Sequence, residues 1–158
     1  MKSKKRSAAS SPATPRKRPA PVFFIDRDLG RFTVPGALRS AGAQVEVHAD
    51  HFPDDAPDET WLAAAGEHGW VVITKDKAIR HRGTELDALK TARVAAFVLT
   101  KGGTGPENGL VLSKALPKIL RFLTGNRPPF IAAVSPSARL KMLYRGRRPR
   151  GRAPKKRR

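Results

Sequence analysis

Phe23-Phe24-Ile25-Asp26-Arg27-Asp28-Leu29-Gly30-Arg31 sets three apolar strand formers directly ahead of two carboxylates spaced by one residue, then a glycine and an arginine. A short run that is apolar at every position reads as a strand covered on both faces, which is how the strands of a parallel sheet look in sequence. Pro21 to Ile25 is therefore expected to be a buried strand, and the acid that ends it stands at its carboxyl end.

Outward from this stretch, Phe32 to Ala41 carries apolar residues at helical spacing and stops at Gly42, a short helix with Pro35 in its first turn. Gln44 to His48 alternates as a second strand. The polar loop HADHFPDDAPD leads into DETWLAAAG, where Asp58 or the residue before it opens a helix. Trp70 to Thr74 is a third apolar strand, ending in Lys75-Asp76-Lys77. Thr84 to Ala92 reads as helix and Val94 to Leu99 as strand. TKGGTGPENG follows as a turn, then Leu110 to Leu123 as helix and Phe130 to Val134 as a last short strand. Alternating strands and helices predict an α/β domain with a mostly parallel sheet.

The chain has 158 residues, enough for one domain with a sizeable core. Its formal net charge is +19, and the excess is concentrated at the ends. Residues 1–20 carry seven bases and no acid, and residues 139–158 carry eleven and no acid, leaving 14 bases against 13 acids between them. These ends, rich in Pro, Ser and Gly, lack the apolar periodicity of a fold and are expected to be disordered arms that attract a phosphate backbone without reading its sequence. The plainer account of them is a solubilising or import-like basic run. The expected organisation is an arm over 1–20, a folded domain over 21–135 and a basic tail over 136–158.

There is no cysteine, which excludes disulfides, thiolate zinc sites and thiol nucleophiles and suits a reducing compartment. No apolar run reaches the length of a membrane span, and the basic N-terminus lacks the apolar segment of a secretion signal, so the expectation is a cytoplasmic protein with no membrane partner.

In an open parallel sheet, sites form beyond the carboxyl ends of the strands. Asp26 follows the first strand and Asp76 the third, so both belong to that edge. In βα order a helix N-terminus faces the same edge, which adds Asp58 and Glu59, and Asp28 adds a further group. Clustered carboxylates raise one another's pKa, whereas a divalent cation makes their proximity favourable. An all-oxygen set without thiolate or paired histidines suits Mg²⁺ or Mn²⁺ rather than zinc. Arg31, Lys75, Lys77 and Arg80 flank the acids and offer positive charge to a polyanionic substrate. Taken singly, Asp26 also reads as a turn acid, Asp58 as an N-cap, Asp76 as a cap of the next turn and Glu59 as a solvated first-turn acid. His48 and His51 in HADH have no evident third metal ligand, Trp61 and Trp70 sit at core positions, and TKGGTGPENG lacks the spacing of a nucleotide-phosphate loop.

FFIDRDLGRF, the helix ending at Ala41-Gly42, PDETWLAAAGEHGW and VVITKDKAIR, in that order, resemble the PIN-like nucleases, especially the branch with the Mut7-C domain and the VapC-type toxins. The resemblance covers residues 22–100 and continues more weakly to 134. It implies a PIN-like three-layer α/β/α sandwich, Mg²⁺- or Mn²⁺-dependent cleavage of RNA, a protein antitoxin as partner and a homodimer among the admissible assemblies. By position, Asp26 matches the acid after the family's first strand, Asp58 the acid that opens the D-E-x-x helix and Asp76 the acid of the T-x-D motif, with Glu59 and Asp28 as further matches. The expected function is thus a metal-dependent endoribonuclease, the toxin of a type II toxin–antitoxin pair. The alternatives are a non-catalytic nucleic-acid-binding protein on the same fold and an RNA-processing or DNA-directed nuclease.

Overall fold

The computed structural model describes residues 20–81 and 83–146. Apart from Ala20, the expected N-terminal arm lies outside these residues, as does the chain from 147 onward.

The strands are β1 (Val22–Ile25), β2 (Gln44–Val47), β3 (Val71–Thr74), β4 (Ala95–Leu99), β5 (Phe130–Val134) and β6 (Leu140–Arg145). They form one sheet in the order β2-β1-β3-β4-β5-β6. The first five run parallel and β6 runs antiparallel to β5. The helices are α1 (Thr33–Ser40), the single turn α2 (His48–His51), α3 (Asp58–His68), α4 (Gly83–Ala92) and α5 (Gly105–Gly125).

Alternation along each strand feeds two cores. Phe23, Ile25, Ile73, Phe97 and Phe130 face one layer, where they meet Val34 and Leu38 of α1 and Leu112, Ala115, Leu116 and Ile119 of α5. Phe24, Val72, Ala96, Val98 and Ile131 face the other, against Trp61, Leu62 and Ala65 of α3 and Leu89 of α4. The result is the expected three-layer α/β/α sandwich. Each large apolar side chain taken fully out of water contributes roughly 1.5–3 kcal/mol, so the central strands are the main store of stability.

Three boundaries differ from the sequence reading. His48 leaves the second strand and begins α2. The supposed GPENG turn is already helix: Thr104 caps α5 by accepting from the Glu107 N–H at 3.2 Å, and Pro106 sits in the first turn, where its missing N–H costs nothing. The tail expected from 136 supplies β6, which covers the open edge of β5, so its first residues belong to the sheet.

One close approach fixes the α3–α4 layer. A Cβ on Gly66 of α3 would stand 2.6 Å from the Cβ of Ala92 at the end of α4, so only glycine lets the two helices meet here.

Candidate active site

The strand order decides where a site can form. β1 pairs with β2 on one side and β3 on the other, because the chain reverses its direction of travel across the sheet after β2. The connections leaving β1 and β2 cover opposite faces, through α1 and α3, and a crevice opens between the carboxyl ends of β1 and β3. Asp26 and Asp28 follow β1 and Asp76 follows β3, so all three stand at this crevice.

Asp26 is only 6 % exposed. Its carboxylate accepts from the Arg27 N–H at 2.7 Å and from the Thr74 hydroxyl at 2.8 Å, while its own N–H donates to Ile73 O at 3.0 Å. Asp28 accepts from the same hydroxyl at 3.1 Å and from the Lys75 N–H at 3.3 Å. Thr74, fully buried at the end of β3, therefore ties both acids of the β1 loop to the neighbouring strand, and its oxygen also accepts from the Asp76 N–H at 3.1 Å.

Asp58 is the first residue of α3 rather than its cap, which is Pro57, and its carboxylate accepts from the Trp61 indole N–H at 2.9 Å. That bond satisfies the polar atom of a buried tryptophan. Asp76 does cap the following 3₁₀ turn, accepting from the Ala78 N–H at 3.0 Å. Carboxylate oxygens of Asp58, Asp76 and Glu85 lie within 4.8 Å of one another. A hollow of about 570 Å³ is lined by Asp26, Asp28, Asp58 and Asp76 together with Arg27 and Lys75.

Three of the expected residues lie elsewhere. Glu59, one position round α3 from Asp58, is exposed and lines an outer groove between α3 and α4 with Glu67 and Asp87. Lys77 and Arg80 are exposed on the 3₁₀ turn, outside the lining of the acidic hollow, and Arg80 donates to His81. Lys75 lines that hollow, and Arg31 lines the adjoining one. Glu85 is the residue the sequence reading missed. It stands in the first turn of α4, and the rule that turned the start of α3 toward the site applies equally to the start of α4.

Burial shapes the electrostatics of the two acids that follow β1. Burial above all raises the Asp26 carboxyl above its ordinary range; the Thr74 and Arg27 hydrogen bonds oppose the shift and the charge of Asp58 adds to it. Asp28 is pushed up to about 6, first by burial and then by the charge of Asp26. Its Oδ1 is buried with no hydrogen-bond partner among the described residues. His48 is buried against Phe24, Phe52 and Trp61, and burial lowers its pKa, so it is a neutral core residue. His51 pairs with Glu46 at 2.7 Å. An orphaned buried carboxylate oxygen and an all-oxygen donor set fit a hard divalent cation such as Mg²⁺ or Mn²⁺.

A family model described as a PIN like domain matches residues 21–101, just over half of the chain. The chain is also 27 % identical over 127 residues to a Mycobacterium tuberculosis protein named "Putative ribonuclease VapC45", covering 77 % of this chain and 91 % of that protein. No solved structure matches it.

Proposed function

The chain belongs to the PIN-like domain family, and from that premise we propose that it is a metal-dependent endoribonuclease, acting in the cytoplasm as the toxin of a type II toxin–antitoxin pair. The observation that carries this reading is the convergence of carboxylates from separate elements on one crevice: Asp26, Asp28, Asp58 and Asp76 line it, and Glu85 lies within 4.8 Å of Asp58 and Asp76.

These five residues would hold one or two divalent ions. Such an ion, when bound, lowers the pKa of water and neutralises charge on phosphoryl oxygens. The rest falls to the chain itself. Thr74 fixes the Asp26 and Asp28 carboxylates, and the Ala78 N–H and the Trp61 indole fix those of Asp76 and Asp58, so the acids are oriented before substrate arrives. Lys75 at the rim, and Arg31 beside it, attract the phosphate backbone toward an otherwise repelling site. RNA is the substrate in this reading and a protein antitoxin the partner.

The test is RNA cleavage by purified protein with Mg²⁺, with Mn²⁺ and with chelator. Internal cuts that require the metal and vanish in chelator are the expected result. Metal-independent cleavage, or none under any condition, overturns the proposal.

A further inference from the structure

Helical spacing assigns Phe32 to the apolar face of α1, yet its side chain is 77 % exposed, more than any other large apolar group among the described residues. It occupies the N-cap position of α1 without making a capping bond, so helix formation does not account for a phenylalanine there. The Arg31 guanidinium lies 5.3 Å from its ring centroid.

Phe32 borders a hollow of about 310 Å³ that adjoins the acidic one: Asp28 and Lys75 line both. The size is at the small end of the roughly 300–1,000 Å³ of small-ligand sites. Gly103, Gly105 and Asn108 also line this hollow. Asn108 is only 5 % exposed and bonds Gly103 twice, accepting from its N–H at 3.0 Å and donating to its carbonyl at 3.1 Å. A Cβ on Gly103 would meet the Glu107 carboxylate at 2.7 Å, so the glycine lets this loop pack closely on the first turn of α5. An aromatic face, two cations and a backbone wall whose amide is already engaged suit a flat ring next to phosphates, and offer little with which to read the edge of one base over another.

Resting on the endoribonuclease reading, we infer that Phe32 is a stacking platform for one unpaired nucleotide of the RNA, seated in this hollow beside the acidic crevice, with Arg31 and Lys75 on the adjoining phosphates. Stacking on an aromatic side chain tolerates every base but requires that the base be unpaired. The nucleotide held there is therefore an unpaired one, with weak sequence preference at that position.

The experiment measures binding of the full-length chain, in an Asp76→Asn background that holds cleavage down, to a short single-stranded RNA carrying 2-aminopurine and to a duplex of the same sequence. Salt of about 0.3 M weakens the sequence-independent attraction of the basic arms. Phe32→Ala should weaken single-strand binding about tenfold, within the range that removing one base–aromatic stack brings, and should abolish part of the 2-aminopurine quenching. Duplex affinity should not change, and Phe32→Trp should restore single-strand binding. An equal loss in Phe32→Ala and Phe32→Trp, or no loss in either, overturns the platform. So does unchanged RNA affinity with a changed sedimentation coefficient, which would assign Phe32 to a protein interface. Phe32-dependent binding by a wild-type protein that never cleaves would sink the nuclease reading and keep the platform; metal-dependent cleavage that Phe32→Ala leaves unaltered on single strands would do the reverse.

Discussion

The acids of the crevice are held in two different ways. Asp26 caps the 3₁₀ turn Arg27–Leu29 after β1 and Asp28 lies within it, and both are tied across to β3 by one buried hydroxyl. Asp58, Asp76 and Glu85 sit at the first turns or caps of separate helical segments, the Asp58 carboxylate accepting from the Trp61 indole and that of Asp76 from the Ala78 N–H. The first pair is desolvated and costs the fold stability when ionised. The second group is assembled by packing of whole elements. A substitution in either should harm catalysis, but the two should differ in what happens to stability.

The largest expected effect is on cleavage. Asp76→Asn and Asp26→Asn should each lower kcat by more than the ~10–100-fold typical of losing an outer partner of a metal site. Without metal, Asp26→Asn should melt at or above the wild-type temperature, since it removes a buried charge whose pKa burial has raised. Thermal melts of the two variants beside RNA cleavage check this; near wild-type activity in either would remove that residue from the site, and a large loss of stability in Asp26→Asn would show that its ionised form is favoured by the fold.

A second, smaller effect concerns pH. Asp28 titrates near 6 in the folded chain, against an ordinary aspartate value near 3.9 in the unfolded one. Because the pKa is raised on folding, its contribution to stability is full below the unfolded value and is lost as pH rises through about 6. Measured against Asp28→Asn, a comparison that cancels the opposing contribution of buried His48, the metal-free wild type should therefore lose Tm between about pH 5.5 and about pH 7.5. Mg²⁺ should raise Tm more at the higher pH, where the carboxylate is already ionised. Parallel melting curves for wild type and Asp28→Asn would break the contrast between the two groups of acids.

The same division separates what is legible in the sequence from what is not. Asp26 and Asp76 can be placed because uninterrupted apolar runs mark the ends of β1 and β3, and Asp58 because the loop before α3 is so polar. Glu85 escapes because the leucines of α4 announce a helix by their spacing, whereas the direction in which its first turn points comes only from the βα order. β6 escapes for a different reason. Exposed Lys141 and Arg145 bracket half-buried Met142, Leu143 and Tyr144 without a strand's strict alternation, and in sequence these bases merge with those of the basic tail. Phe32 is misplaced because helical spacing includes a first residue whether or not its side chain turns inward.

The smallest effect follows from that boundary. Residues 1–19 and 147–158 carry 15 of the 32 bases, and deleting them leaves β6 in place. Melting should hardly change, while the log–log salt dependence of RNA binding should flatten by about 0.7 for each phosphate of a single strand that the arms no longer neutralise. An unchanged slope would point the arms at an acidic protein partner instead. Cutting at 138 should behave otherwise, lowering Tm by exposing the edge of β5.

Gly66 and Ala92 touch at the ends of α3 and α4 opposite to those that carry Asp58 and Glu85. With about 1.5 Å of rise per residue, that contact lies roughly 12 Å along α3 from the carboxylate it governs. The two helices act as the arms of a pair of tongs, with an uncharged pivot setting how far apart the tips stand. A side chain at 66 would wedge the pivot, and the spacing of two metal-ligand candidates would change although nothing near them had been touched.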